Sequence, residues 1–378
     1  MVRSTNQNSE LGISNFAIDD MMMRYSLFVP RLYNFCKSLG FIPGKILPSR
    51  AFCSDESQGF PIILITKHFG SFPFNHGMVG GIVATDRHGP YAEHGKDLVI
   101  IQASHVGYDP DSQIFGVYRR LQTEHREMST SCGKVANVLN WYLSEYQFAQ
   151  QNIWIEKEGK QVFITIDNQL LDDERNEGLF LNLDKLISYD RKPVESFSTS
   201  KKFVISDTLL EDLIQAGVKI EQQTIGNHLT ASYFYFKRGV DSDIEGQGHL
   251  ERNLLPFMAS VVTSKAPLLS AAILNTQIEY DRTFRTIVKN RYYAGKKVIF
   301  ISGINIDISP QSGQVFPLTK FIPWAAYIQE PDGTGYTIEQ QELMEILVNQ
   351  STDNPDQINL EDAINEMVDA QEVIVNLP

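Results

Sequence analysis

Cysteine is scarce in this chain, with three among 378 residues. So small and odd a count argues against a disulfide framework and points to a reducing compartment. Long apolar runs are missing as well. The longest candidate, Phe60 to Ile65, has the length of a strand and falls far short of a membrane span. The first ten residues are polar and carry no apolar h-region, so no secretory signal is expected and the chain reads as cytoplasmic. Positive charge is in deficit: 33 lysines and arginines face 46 aspartates and glutamates, for a net charge of −13. That balance disfavours a nucleic-acid or membrane surface as partner. Much of the acidity is local, between Glu339 and Glu372, where it serves solubility. There is no Walker sequence, and Gly77-x-x-Gly80-Gly81 lacks the Rossmann spacing. Internal repeats and low-complexity tracts are absent too.

What is present is an ordinary globular composition, 42% hydrophobic and 21% charged. The length suits two domains or one elaborated one. Residues 1–17 read as a mobile leader. From Ile18 to Gly40 apolar residues recur at helical spacing, with Pro30 breaking the run. Phe60 to Ile65 and Asp97 to Gln102 are continuous apolar runs bounded by breakers, as in strands buried on both faces. Gly133 to Phe148 is expected to be helical, as are Asp207 to Ala216, Thr276 to Tyr293, Glu339 to Asn349 and Leu360 to Ala370. Trp154 to Asp167 reads as a hairpin; Leu229 to Lys237 and Lys296 to Asn305 read as strands. The expected class is α/β, a central sheet flanked by helices with further α/β elements in the C-terminal half. The expected division is a leader to residue 17, a site-bearing core over 18–150, a continuation or second domain over 151–335, and an acidic helical tail over 336–378.

The chemistry-bearing feature is the placing of two cysteines around one histidine. Cys53 lies in Phe52-Cys53-Ser54-Asp55-Glu56, His105 in Ala103-Ser104-His105-Val106-Gly107, and Cys132 in Ser129-Thr130-Ser131-Cys132-Gly133. Two thiolates and an imidazole make a natural set for Zn2+, and three protein ligands leave a fourth position open. Zinc in an open site lowers the pKa of its water to about 7, which gives a nucleophile suited to a small electrophilic carbon such as that of CO2. His105 is expected at the end of a buried strand and Cys132 at the start of a helix, where a thiol pKa is lowered. Asp55 falls two residues after Cys53, on the same side of an extended segment. It can orient a metal-bound water or occupy the fourth position itself, and an arginine partner would decide between these states.

These motifs resemble the limiting-CO2-inducible protein B/C family, a divergent branch related to β-carbonic anhydrases. Cys53-Ser54-Asp55-Glu56 is similar to that family's Cys-x-Asp-Glu signature. The stretch Phe74 to Gly81 resembles its glycine-rich segment, Ala103 to Gly107 its histidine-bearing strand end, and Ser129 to Gly133 its cysteine-bearing helix start. The resemblance spans roughly residues 50–145. It implies a β-carbonic-anhydrase-like sheet, zinc on Cys53, His105 and Cys132, Asp55 as a gate, reversible hydration of CO2 to bicarbonate, and a homodimer. The chain departs from the β-carbonic anhydrase pattern at Ser57, where arginine is usual. Arg87 is then the first candidate for the arginine and Arg119 the second. A catalytically silent homologue that senses bicarbonate, or one that serves protein interaction, is the alternative.

Each candidate also has a plainer reading. Cysteine is among the most buried residue types, so Cys53 and Cys132 are also candidates for core packing. Cys36, on an apolar helix face, is expected to be core. His68, His76, His88, His94 and His125 read as surface or hydrogen-bonded histidines, with His88 or His94 a candidate proton shuttle. Phe72 and Phe74 are candidates for an apolar wall around CO2. Gly80 and Gly81 suit either a tight turn or a close backbone approach. The group Asp241, Asp243, Glu245 and His249 reads as a solvated loop.

Overall fold

The computed structural model describes residues 17–18, 21–84, 89–90, 97–119, 128–171, 175–240, 246–311, 314 and 318–369. The chain folds as two compact units, Met1–Cys132 with Ala272–Pro378, and Gly133–Ala271.

The first unit is built on a mixed sheet. Its principal strands are β1 (Met23–Arg24), β2 (Ile46–Ala51), β3 (Phe74–Asn75), β4 (Asp97–Asp109), β5 (Val298–Ile308), β6 (Leu318–Gln329) and β7 (Gly335–Glu339). They lie in the order β1-β6-β5-β4-β2-β3, with β7 beside β6 and the short strand Ile114–Phe115 beside β4. β3, β2, β4 and β5 run parallel, whereas β6 returns antiparallel to β5.

The period of two along a strand assigns the sheet's faces. Val99, Ile101 and Ala103 of β4 and Ile299 and Ile301 of β5 pack in one cluster with helix α1 (Tyr25–Ser38) and helix α2 (Gly59–Phe69). Leu98, Ile100, Val298 and Phe300 pack on the opposite face with Ile287 and Tyr293. Helices therefore cover both faces, as the continuous apolar composition of β4 and β5 requires. On this count His105, Asn305 and Asp307 fall on the α1/α2 face, near the carboxyl ends of parallel strands.

Two local expectations are corrected. Phe60 to Ile65 belongs to α2, not to a strand. Pro61, Ile65, His68 and Phe69 are buried while Ile63 is 48% exposed, a helical pattern that becomes visible only when the run is extended to Phe69. Gly70, at φ 75°, ends it. Pro30 does not break α1, which continues through it because Phe28, Val29, Leu32, Tyr33, Phe35 and Cys36 bury one continuous face.

The second unit opens with the helix Gly133–Gln151 and carries a five-stranded antiparallel sheet. The hairpin Ile153–Glu158 and Gln161–Asp167 forms its centre, as expected from the sequence. Arg238 stacks on Trp141 at 4.4 Å and pairs with the buried Glu251 at 3.2 Å. No helix among the described residues is long and apolar enough to cross a membrane.

Candidate metal centre

Each ligand-type side chain is placed by a local device. Cys53 follows β2, where the segment after β3 passes directly over its backbone. His76 N–H donates to the Arg50 carbonyl at 3.0 Å, and a Cβ on Gly77 would lie 2.2 Å from the Phe52 carbonyl oxygen. Only glycine fits at that crossing. The same segment then turns through Gly80 and Gly81, at φ 67° and 82°, so that the Gly80 N–H points at Cys53 Sγ at 3.2 Å. A backbone approach to the thiol thus explains this glycine cluster. Asn275, on the helix Pro267–Lys289, holds the turn by donating to the Gly80 carbonyl at 3.1 Å and to Ser104 Oγ at 3.0 Å.

Cys132 is brought beside β4 by backbone pairing. Gly107 N–H donates to the Ser131 carbonyl at 2.9 Å, and Ser131 N–H to the Gly116 carbonyl at 3.0 Å. A Cβ on Gly107 would lie 2.7 Å from the Val117 carbonyl oxygen, so this glycine too is needed for the approach. The Ser131–Cys132 peptide is cis.

Cys53, His105 and Cys132 converge. One ligand atom from each lies within 4.8 Å of the others, and all three residues are buried. The two sulfurs stand 3.7 Å apart. Tetrahedral geometry with metal–sulfur bonds of about 2.3 Å places two thiolates about 3.8 Å apart, so the pair fits a zinc-sized ion. The imidazole is directed as a ligand must be. Its Nδ1 donates to Asp307 Oδ2 at 2.7 Å, and its Nε2 is buried with no hydrogen-bond partner among the described residues. A buried orphan nitrogen facing two sulfurs is costly unless something fills the space between them.

Charge in the group is strongly shared. The hydrogen bond with Cys132 draws the Cys53 thiol down, while that same bond, with burial, pushes Cys132 up. Burial lowers His105 but is outweighed by sulfur charge at Cys132 and by Asp307, so the imidazole lies well above its usual pKa. Asp55 stands beside the group, with Oδ2 4.0 Å from His105 Nε2 and its side chain 11% exposed. Its Oδ1 accepts from the Ser57 N–H at 3.3 Å, which fixes the carboxylate's direction. Burial pushes it up to about 6, against the opposing pull of His105.

Asp307 was not legible as a site residue. It is fully buried and accepts from Ser57 Oγ at 2.8 Å, Gln58 Nε2 at 3.0 Å, Ser131 Oγ at 3.2 Å and Thr319 Oγ1 at 3.2 Å, besides His105. Asn305, paired in register with His105, donates to Gln58 Oε1 at 2.6 Å and accepts from Tyr25 at 2.7 Å. The signal available was the polar Asn305-x-Asp307 at the end of a largely apolar strand.

The remaining candidates divide. Arg87 and His88 lie outside the described residues, as do His94, His125, Asp241, Asp243 and Glu245. Arg119 is taken by Asp111 at 2.6 Å and Asp109 at 3.6 Å, which removes the second candidate partner for Asp55. Among the described residues no arginine bonds Asp55. Phe72 is 74% exposed, past the turn at Gly70, and so cannot wall a buried site; Phe74 stacks on His76. His68 and His76 are buried and bonded to Asn354 and Ser49. Cys36 is packed in the α1 core, where burial pushes its thiol up.

Solved structures share this architecture. PtLCIB4, a homologue of the limiting CO2-inducible protein LCIB, aligns with a TM-score of 0.51 at 12% identity, over 86% of this chain and 97% of its own. Its H88A mutant gives 0.51 and 12%, over 84% and 93%. LCIB itself aligns at 0.46 with 15% identity, over 89% of this chain and all of its own. The fold is LCIB-like. No known family profile matches the chain, and no curated protein matches its sequence. The LCIB-like sheet includes β5 and β6, so the likeness reaches well beyond residues 50–145, where the sequence motifs lie.

Proposed function

We propose that this protein is a zinc-dependent carbonic anhydrase that interconverts CO2 and bicarbonate, a member of the limiting-CO2-inducible protein B/C family acting as a cytoplasmic homodimer. The observation that carries this reading is the convergence of Cys53, His105 and Cys132 in one buried group, with Asp55 beside it, on an LCIB-like fold. When bound, zinc in such a three-ligand site supplies a water acidic enough to be a nucleophile at neutral pH. The chain's own residues hold and aim. Cys53 and Cys132 offer two thiolates, and His105 offers Nε2, kept free by the Asp307 bond at Nδ1. Asp55 presents an acceptor oxygen at the edge of the group, where a reacting water needs orienting, and its Ser57 bond restrains its swing. Burial keeps bulk water from the group and strengthens each of these interactions.

A silent, bicarbonate-sensing homologue is favoured by one observation: Asp55 lies 4.0 Å from His105 Nε2 with no arginine among the described residues to draw it away. The two readings separate in a stopped-flow CO2 hydration assay on the zinc-loaded protein. An enzyme accelerates the pH change in proportion to its concentration and loses the effect on chelation. A silent homologue holds stoichiometric zinc and gives the uncatalysed rate.

A further inference from the structure

The three ligand-type residues come from segments far apart in sequence, and a single side chain touches all three segments. Asp307 receives Ser57 and Gln58 from the segment that follows Cys53, His105 Nδ1 from β4, and Ser131 from the residue before Cys132. Ser131 Oγ also lies 3.3 Å from His105 Nδ1. Asp307 is itself fixed from two further sides. Thr319 of β6 donates to Oδ1, and the Tyr25–Asn305–Gln58 chain of bonds holds the amide that donates to both its oxygens. Every bond in this set is buried, so each is costly to break and none is replaced by water.

We infer that Asp307 is the positioning residue that assembles the metal centre, gathering the Cys53, His105 and Cys132 segments and fixing the imidazole so that Nε2 faces the sulfurs. This rests on the reading of those three residues as metal ligands. The metal-facing nitrogen of a ligating histidine is set by the bond its other nitrogen makes, and loss of such an outer partner typically weakens metal binding about 10–100-fold. Asp307 has more reach than a usual outer partner because it fixes the loops carrying the thiolates as well as the imidazole.

The test is metal affinity of the full chain, stripped of metal and titrated with zinc against a chromophoric chelator, alongside the visible spectrum of the cobalt-substituted protein. Wild type is expected to bind one zinc and give the intense bands of a tetrahedral thiolate-bound cobalt site. Asp307→Asn, nearly isosteric, is expected to bind zinc about 10–100-fold more weakly and to lose intensity in those bands. Tyr33→Phe, which deletes a remote tertiary bond to Asp356, leaves affinity and spectrum unchanged. Folded Asp307→Asn protein with zinc affinity within threefold of wild type overturns the inference. If Asp307→Asn does not fold, Ser57→Ala and Ser131→Ala, each removing one bond to the same carboxylate, carry the test. Each is expected to weaken zinc a few-fold, and two unchanged affinities overturn the inference. A wild-type chain that takes up no stoichiometric zinc overturns the metal reading itself.

Discussion

At the scale of single residues, His105 and His68 show opposite uses of a buried imidazole. His105 commits Nδ1 to Asp307 and leaves Nε2 facing the two sulfurs, whereas His68 accepts from Asn354 Nδ2 at 3.1 Å through Nδ1. Burial, helped by Lys67, lowers His68 to about 4. Its neutral form is favoured by folding, so its stabilising effect is complete above its unfolded pKa of about 6.5 and is lost as pH falls towards 4. Replacing His68 with Gln is expected to flatten the pH dependence of unfolding free energy in that window, as read by urea denaturation at a series of pH values. A slope equal to wild type contradicts the assignment. Asp55→Ala is expected to retain zinc and lose CO2 hydration by about 10²-fold in kcat/KM. Zinc loss in that variant would make Asp55 a ligand instead of an orienting group. The grouping of Cys53, His105 and Cys132 was legible because cysteine is rare here and each cysteine of the pair sits in a glycine- or serine-bearing motif. Asp307 was not, because an aspartate two residues past a strand's expected end looks like a turn.

At the scale of elements, glycines decide whether segments approach closely enough to build the site. Gly81 has φ 82°, and a Cβ there would lie 2.6 Å from the Ala103 carbonyl oxygen. Gly44 has φ 76° and open space around it. Gly81→Ala is therefore expected to cost about 3 kcal/mol, from backbone strain and overpacking together, and Gly44→Ala about 1 kcal/mol from strain alone. Thermal unfolding of the two variants measures the difference; equal losses would mean that close approach to β4 is unimportant. The helix α2 looks like a strand in the sequence because Phe60 to Ile65 is apolar on every side and shows no period of its own. Exposed Ile63 and buried Ile65, His68 and Phe69 reveal the period only beyond the run. The hairpin at Glu158-Gly159 was legible because its turn residues are local, whereas β5 reaches past Asn305 to Ile308 through pairing with β6.

At the scale of the whole molecule, the site-bearing sheet is closed by strands from the far end of the chain. β4 pairs along its length with β5, and β5 with β6. The motifs of residues 50–145 therefore carry Cys53, His105 and Cys132 without specifying the structure that holds them. A fragment ending at residue 150 lacks β5, β6 and Asp307, and is expected to show neither a cooperative unfolding transition nor stoichiometric zinc. Calorimetry and metal analysis check this, and a folded, zinc-binding fragment would show that the front of the chain assembles its site alone. The fold class was legible from alternating apolar runs and helical periods, but the partners of β4 were not, because pairing across some 200 residues leaves no local signature.

The most direct test of the candidate metal centre is X-ray absorption at the zinc edge on the purified 378-residue chain. One zinc per chain is expected, with two sulfur neighbours at about 2.3 Å and lighter nitrogen or oxygen neighbours at about 2.0–2.1 Å. A shell without sulfur, or protein that holds no stoichiometric zinc after loading, would contradict it.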